Sequence, residues 1–153
     1  MTGSPDLGCA ATALAAEALV SFGQLRLRVT GTSMLPALRP GDELQFHSRR
    51  TESTSLGDIV LFRRANAFVI HRVVALSNTE LVTQGDALAV PDPPVNKADV
   101  LGTLVSVTRR DRRMSWNPST HASVGVTRWL FRRFDVATRL FLRWHRLPTR
   151  AAG

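Results

Sequence analysis

Short strand-like segments, each closed by a glycine- or proline-containing turn, dominate residues 24–108 of this 153-residue chain. In residues 24–30, Leu25, Leu27 and Val29 alternate with polar neighbours, which is the period of a strand with one buried face. Further segments of this kind occupy residues 43–47, 59–62, 67–76, 81–83 and 100–108. Because no helical segments alternate with them, the pattern predicts a mainly β, antiparallel domain.

The regions on either side of this β domain have a different character. Ala10–Phe22 is rich in strong helix formers and is followed by Gly23, so we predict a short helix there. The chain is therefore divided into an N-terminal helical segment (1–23), a β domain (24–108) and a basic tail (109–153).

The positive charge of the chain is concentrated in the tail. Residues 109–153 carry eleven Arg and two Asp, whereas residues 1–108 carry nine Lys or Arg and ten Asp or Glu. Apolar residues recur every three or four positions in residues 127–145, which predicts an amphipathic helix. Residues 128–146 then suit either docking on the domain or contact with an anionic membrane surface. Nucleic acid is a less favoured partner, because no DNA-binding motif precedes the domain.

The apolar stretches of the sequence bear on location. No run of about 18 apolar residues is present, which predicts no transmembrane helix. The first residues lack Lys and Arg, and Glu17 interrupts the early apolar run, so no signal peptide is expected. The single cysteine, Cys9, permits no internal disulfide. Together these features predict a cytoplasmic protein, or one peripheral to the inner face of the membrane.

Ser33 is the first candidate for chemistry, because it lies in a turn between Gly31 and Pro36. Glycine reaches backbone angles closed to other residues and proline fixes its own, so this segment can form one tight bend. A bend of that kind can project a nucleophilic hydroxyl beside backbone N–H groups. Taken by itself, however, the motif is more often an ordinary solvated turn.

A histidine and an acid follow at positions that could complete such a site. His71 lies inside a long apolar strand segment, and Gly85-Asp86 closes the next one. Serine, histidine and an acid can act as nucleophile, base and orienting group in any chain order. A lone histidine in a strand is more often structural, and sequence alone does not bring the three side chains together. No metal-ligand spacing is present, so neither metal nor cofactor is expected.

Four motifs occur in order: G-T-S-M-L-P-A-L-R-P-G-D, G-D-I-V-L-F-R-R, V-I-H-R-V-V and T-Q-G-D-A-L. Their succession resembles the boxes of the signal peptidase I-like serine peptidases, a superfamily that includes the self-cleaving LexA-type repressors. The later segment L-G-T-L-V resembles the closing strand of that fold. Each motif is weak by itself, but the ordered set is specific. The resemblance implies an antiparallel β-ribbon or partly open barrel over residues 24–108.

The resemblance also implies residue roles. Ser33 matches the nucleophile, and His71 stands where common bacterial enzymes carry a lysine base and endoplasmic-reticulum-type enzymes carry histidine. Asp86 is expected to orient His71 or stabilise its charge. Asp92 matches a second acid of the histidine-type enzymes and is the weaker candidate, with a role as a turn residue before Pro93 as the alternative.

An oxyanion site is implied at residues 31–33. Many relatives carry a serine two residues before the nucleophile, but this chain has Gly31, so Thr32 or the backbone N–H of Ser33 must serve. The implied activity is a serine endopeptidase that cleaves an extended peptide, with small residues before the scissile bond, through an acyl-enzyme. Two alternatives remain: an inactive β domain that binds a peptide or partner, and a membrane- or nucleic-acid-binding module acting through the tail.

Overall fold

A computed structural model describes residues 14, 17–19, 21–48, 54–64 and 67–116. The described residues of the expected N-terminal helix are helical, and Leu19 from this helix is fully buried in the core. Cys9 and the amphipathic segment 128–146 lie outside the described residues.

The described residues form one antiparallel sheet in the order β1-β2-β7-β3-β4-β5-β6, with β8 paired to β7. The strands are β1 (Gln24–Arg28), β2 (Glu43–His47), β3 (Ile59–Arg64), β4 (Ala67–Leu76), β5 (Glu80–Gln84), β6 (Val95–Asn96), β7 (Val100–Arg109) and β8 (Arg112–Ser115). A short 3-10 helix, Lys97–Asp99, connects β6 to β7. The prediction of a mainly β, antiparallel fold is confirmed.

The central strand β3 is buried on both of its faces. Ile59 and Leu61 belong to one apolar cluster, which also contains buried side chains of β2 and β7. Val60 and Phe62 belong to a second cluster with buried side chains of β4 and β5. Because side chains alternate along a strand, a strand that serves two cores must be apolar at every position. This explains why β3 has an unbroken apolar sequence.

The sheet leaves two strand edges facing each other. β1 lies at one end of the sheet, and among the described strands it pairs with β2. β4 pairs with β3 from Ala67 to Arg72, but its pairing with β5 begins only at Arg72. Among the described strands, none pairs with the second edge of the first half of β4, and this edge borders the cleft described below.

We predict that Gly102→Ala destabilises the sheet. The pairing of β3 with β7 shifts by one residue beside Gly102, and a Cβ atom there would lie 2.7 Å from the backbone carbonyl oxygen of His47. Overpacking of this kind costs about 1–3 kcal/mol of unfolding free energy, measurable by urea denaturation. Gly31→Ala is the matched control, because a Cβ at Gly31 meets nothing within 4 Å. Equal stabilities for the two variants would contradict the close approach at Gly102.

Candidate active site

Ser33 lies in the loop of residues 29–42, which connects β1 to β2. Two backbone hydrogen bonds close the base of this loop, from Val29 N–H to the Asp42 carbonyl (2.9 Å) and from Gly41 N–H to the Val29 carbonyl (2.8 Å). Inside the loop, Met34, Leu35 and Leu38 are buried. Their burial anchors the loop on the core and leaves the Ser33 side chain at the surface of a cleft.

Arg109, at the end of β7, fixes the far side of this loop. Its Nε donates to Asp42 Oδ1 (2.8 Å), and its Nη2 donates to Asp42 Oδ2 (2.5 Å) and to the Ala37 carbonyl (3.0 Å). Asp42 Oδ2 also accepts from the backbone N–H of Arg39 at 2.8 Å. The loop that carries Ser33 is thus tied to a strand remote from it in sequence.

The turn after β5 packs directly against the backbone of Ser33. The Ala87 N–H donates to the Ser33 carbonyl oxygen at 2.8 Å. A Cβ atom on Gly85 would lie 2.7 Å from the same oxygen, so only glycine fits without displacing Ser33. Gly85 in the T-Q-G-D-A-L motif is therefore explained by its contact with the serine loop.

His71 joins the Ser33 loop to the acid-bearing segment. It lies on β4, is 7% exposed, and places its Nε2 atom 3.2 Å from Ser33 Oγ. The Phe62 ring packs edge-on against the imidazole, with ring centroids 6.4 Å apart. The structure therefore brings two of the sequence-predicted site residues into hydrogen-bonding distance across 38 positions of the chain.

Asp92 occupies the other side of the imidazole. Its Oδ2 atom lies 2.6 Å from His71 Nδ1 and accepts a hydrogen bond from Thr83 Oγ1, also at 2.6 Å. Its Oδ1 atom accepts from Arg64 Nη1 at 3.1 Å. The backbone N–H of Asp92 donates to the Thr83 carbonyl at 2.8 Å, which docks this proline-rich segment on β5.

The partners of Asp92 decide the proton positions in the site. Burial by itself would raise the pKa of the Asp92 carboxyl group. Hydrogen bonds from Thr83 and His71, the positive charge of Arg64 and, when the ring is protonated, that of His71 hold this pKa below its ordinary value. An ionised carboxylate only accepts hydrogen bonds, so His71 Nδ1 carries the proton that faces Asp92. In the neutral ring, Nε2 is then the acceptor for the Ser33 hydroxyl.

The expectation that Asp86 orients His71 stays a prediction, and the hydrogen bonds of the described residues favour Asp92 for that role. Both ring nitrogens of His71 are engaged, one with Ser33 and the other with Asp92. Asp86 is fully buried and accepts from Arg72 instead, with Nε to Oδ1 at 2.9 Å and Nη2 to Oδ2 at 2.7 Å. Neighbouring side chains on a strand point to opposite faces, so an acid that meets Arg72 lies across the sheet from the ring of His71.

A cleft of about 550 Å³ opens beside Ser33 and His71. Residues 27–31 form one wall and residues 68–71 of β4 form the other. Most of its remaining lining is apolar and consists of Met34, Leu38 and Leu88. The cleft therefore lies between the two strand edges noted above, with the serine hydroxyl at its side.

Of residues 31–33, which the sequence suggested for an oxyanion site, Gly31 and Ser33 line this cleft and Thr32 does not. Gly31 and Thr32 are exposed, and Gly31 lines the cleft wall. The Thr32 carbonyl accepts from Leu35 N–H at 3.1 Å, which turns the chain immediately after Ser33. In the part of the chain that the structure describes, the Ser33 N–H forms no hydrogen bond with another residue.

Three side chains of the site were missed in the sequence: Arg64, Thr83 and Arg109. Arg64 and Thr83 lie at the ends of two of the four motifs, but the sequence did not show that the fold brings these side chains to Asp92, or Arg109 to Asp42. Among the residues that the structure describes, no three potential metal-ligating side chains cluster. No helix in the same residues is long and apolar enough to span a membrane.

A serine hydroxyl, an imidazole and a carboxylate in hydrogen-bonded series beside a cleft have the arrangement found in serine hydrolases. The family model described as signal peptidase, peptidase S26, matches residues 7–126, and the chain belongs to this family. This match confirms the resemblance inferred from the four motifs. No curated protein matches the chain. Membership supports a peptidase that acts on a peptide or protein.

We predict that Asp86→Ala strongly destabilises the fold, because it leaves the Arg72 guanidinium buried without its carboxylate. The side chains of this pair are 0% (Asp86) and 5% (Arg72) exposed. Removing one partner of a buried ion pair costs about 3–5 kcal/mol. Chemical denaturation should show this loss, whereas Asp99→Ala, at an exposed aspartate, should change stability by less than about 0.5 kcal/mol. Similar stabilities for the two variants would contradict a structural role for Asp86.

We also predict that the stability contribution of Asp92 depends on pH. Its folded-state pKa is lowered, so the ionised carboxylate contributes stability fully above the unfolded-state pKa of about 3.9. That contribution is lost as the pH falls through the folded-state pKa. The difference in unfolding free energy between the wild type and Asp92→Asn should therefore narrow as the pH falls below about 4. A difference that stays constant between neutral pH and pH 3 would disprove the lowered pKa.

Proposed function

We propose that this protein is a serine endopeptidase in which Ser33 is the nucleophile, His71 the general base and Asp92 the orienting acid. The observation that carries the proposal is the hydrogen-bonded series from Ser33 Oγ through the His71 ring to Asp92 Oδ2. The family match supports the same activity from the sequence. Asp86, which the sequence favoured for the acid, has its carboxylate committed to Arg72.

The reaction would proceed by acyl transfer. His71 Nε2 takes the proton of the Ser33 hydroxyl while Oγ bonds to the carbonyl carbon of the substrate. The backbone N–H of Ser33 donates to the resulting oxyanion. His71 then passes its proton to the departing amine nitrogen, and the same ring activates the water that hydrolyses the acyl-enzyme. Asp92 remains ionised throughout and stabilises the imidazolium.

The substrate would be an extended peptide lying in the cleft. The walls of the cleft, residues 27–31 and 68–71, present strand edges, and a peptide strand can pair with an exposed sheet edge through its main chain. The largely apolar lining favours apolar side chains on the residues that point inward. As in the signal peptidase-like enzymes, we propose small residues immediately before the scissile bond.

The location and membrane contacts of the protein remain proposals from sequence. The arginine-rich segment 128–146 has an amphipathic pattern that suits anionic lipid, and it lies outside the described residues. A cytoplasmic position, or one peripheral to the inner face of a membrane, stays a prediction on the same basis. Nucleic acid stays the less favoured partner.

The alternative function is a catalytically inactive β domain that binds a peptide or partner. Acylation of Ser33 distinguishes this alternative from the peptidase. A serine-reactive acylating reagent should label the wild type at Ser33, with the modified residue located by peptide mass spectrometry. Ser33→Ala should not be labelled. His71→Asn should slow labelling at neutral pH by about 10²–10⁴-fold, because a positioned general base contributes about that much. Asp92→Asn should also slow labelling, because it disturbs the orientation of that base.

Ser115→Ala is the matched control, since Ser115 is an exposed serine on β8, away from the cleft lining. It should be labelled at the wild-type rate. Equal labelling of the wild type and Ser33→Ala would reject the enzyme and favour the inactive scaffold. Wild-type labelling rates in His71→Asn would reject its role as the base.

A further inference from the structure

Arg64, the last residue of β3, connects the acid of the site to the central strand of the sheet. Its Nη1 donates to Asp92 Oδ1 at 3.1 Å, and its Nη2 donates to the carbonyl oxygen of Pro93 at 3.2 Å. Its guanidinium carbon lies 5.4 Å from the centroid of the Phe62 ring, the ring that also contacts His71. One side chain thus binds a carboxylate oxygen and the backbone beside it while packing on a residue that supports the base.

The two oxygens of Asp92 are held unequally. His71 Nδ1 and Thr83 Oγ1 both contact Oδ2, each at 2.6 Å. Among the described residues, the side chain that contacts Oδ1 is that of Arg64. Without this contact the carboxylate would be held through one oxygen and could rotate about its Cβ–Cγ bond. Rotation would move Oδ2 away from the His71 ring and disturb the ring's orientation towards Ser33.

Asp92 also lies on a segment with little regular structure. The chain between β5 and β6 contains three prolines, which cannot donate backbone hydrogen bonds. Besides the bond from Asp92 N–H to the Thr83 carbonyl, the contact of Arg64 with Pro93 is a second anchor for its backbone. Arg64 therefore restrains both the carboxylate and the backbone that carries it.

We propose that Arg64 is a positioning residue that acts through Asp92 to hold the His71 ring in line with Ser33, an inference that rests on the proposed peptidase function. Arginine suits this task because its planar fork of N–H donors reaches two acceptors at fixed angles. The side chain of Arg64 is 38% exposed, so water screens its charge, and its main contribution is orientation.

The chain supplies a matched control in the preceding residue. Arg63 is exposed and Arg64 half-buried, as the alternation of side chains along β3 requires. Arg63 forms no ion pair with Asp92 in the described part of the chain. Arg63→Ala therefore removes an equal charge from the adjacent position without touching the carboxylate.

The test measures the rate of Ser33 acylation at increasing concentrations of the serine-reactive acylating reagent. These data give two quantities, the maximal acylation rate and the reagent concentration at half of that rate. Arg64→Ala should lower the maximal rate by about 10–100-fold, as expected for misplacement of a catalytic group by about 1 Å. The half-saturating concentration should change little, because Arg64 does not line the cleft. Arg63→Ala should retain the wild-type rate. Arg64→Gln provides a second variant if Arg64→Ala folds poorly.

A double-mutant cycle distinguishes positioning through Asp92 from any other effect of Arg64. In the Asp92→Asn background, Arg64→Ala should slow acylation by less than about threefold, because the group through which it acts is already changed. A full 10–100-fold loss in that background would overturn the inference, as would equal rates for Arg64→Ala and Arg63→Ala. If the wild type itself shows no labelling at Ser33, the peptidase proposal fails instead, and the two failures are thus distinguished.

Discussion

The arrangement of the site depends on the alternation of side chains along β4. His71 and Arg72 are adjacent in sequence, yet a strand directs them to opposite faces of the sheet. Each face provides its own carboxylate, Asp92 for the imidazole and Asp86 for the guanidinium. The pair of Arg72 with Asp86 is buried, whereas His71 of the other pair lines the cleft. A shift of one residue in the register of β4 would exchange these environments, so the pairing of β4 with β3 governs the chemistry of the site.

Three separate segments converge on this strand, and backbone hydrogen bonds hold them together. The serine loop is closed at its base by Val29 and its neighbours, the turn after β5 binds the Ser33 carbonyl through Ala87, and the acid segment returns to β5 through Asp92. These contacts involve main-chain atoms that every residue type possesses. Only the geometry of these contacts is specific, so glycine is required at Gly85, where a Cβ atom would lie 2.7 Å from the Ser33 carbonyl oxygen.

Much of the fold could be predicted because its longer strands are alternating or continuous apolar segments bounded by turn residues. The bounds expected for β2 and β4 match those observed, and the predicted helix is helical wherever it is described. The strands β6 and β8 were not predicted, since one has two residues and the other is arginine-rich and exposed along its length.

For the site, the motifs predicted Ser33 and His71, which the structure brings together, but they ranked Asp86 above Asp92. That ranking could not be settled from sequence, because it depends on which face of the sheet each loop reaches. The contacts of Arg64 and Thr83 with Asp92 could not be predicted for the same reason. Arg64 lies 28 positions and Thr83 lies 9 positions from Asp92 in the chain, and folding brings them together.

The charges on the outermost strand have a consequence for how the molecule meets other copies of itself. β1 ends the sheet beside the cleft, and its outward residues include the exposed Arg26 and Arg28. An unpaired strand edge that can bind a peptide strand can also pair with the same edge of another copy of the chain. Edge-to-edge pairing of this kind is a common route to aggregation. Arg26 and Arg28 on this edge repel the same two arginines of a second copy of the chain. A peptide without positive charge at these positions does not experience this repulsion. Under the proposed function, these charges would keep the edge open to a peptide substrate while opposing its pairing with a second copy of the chain.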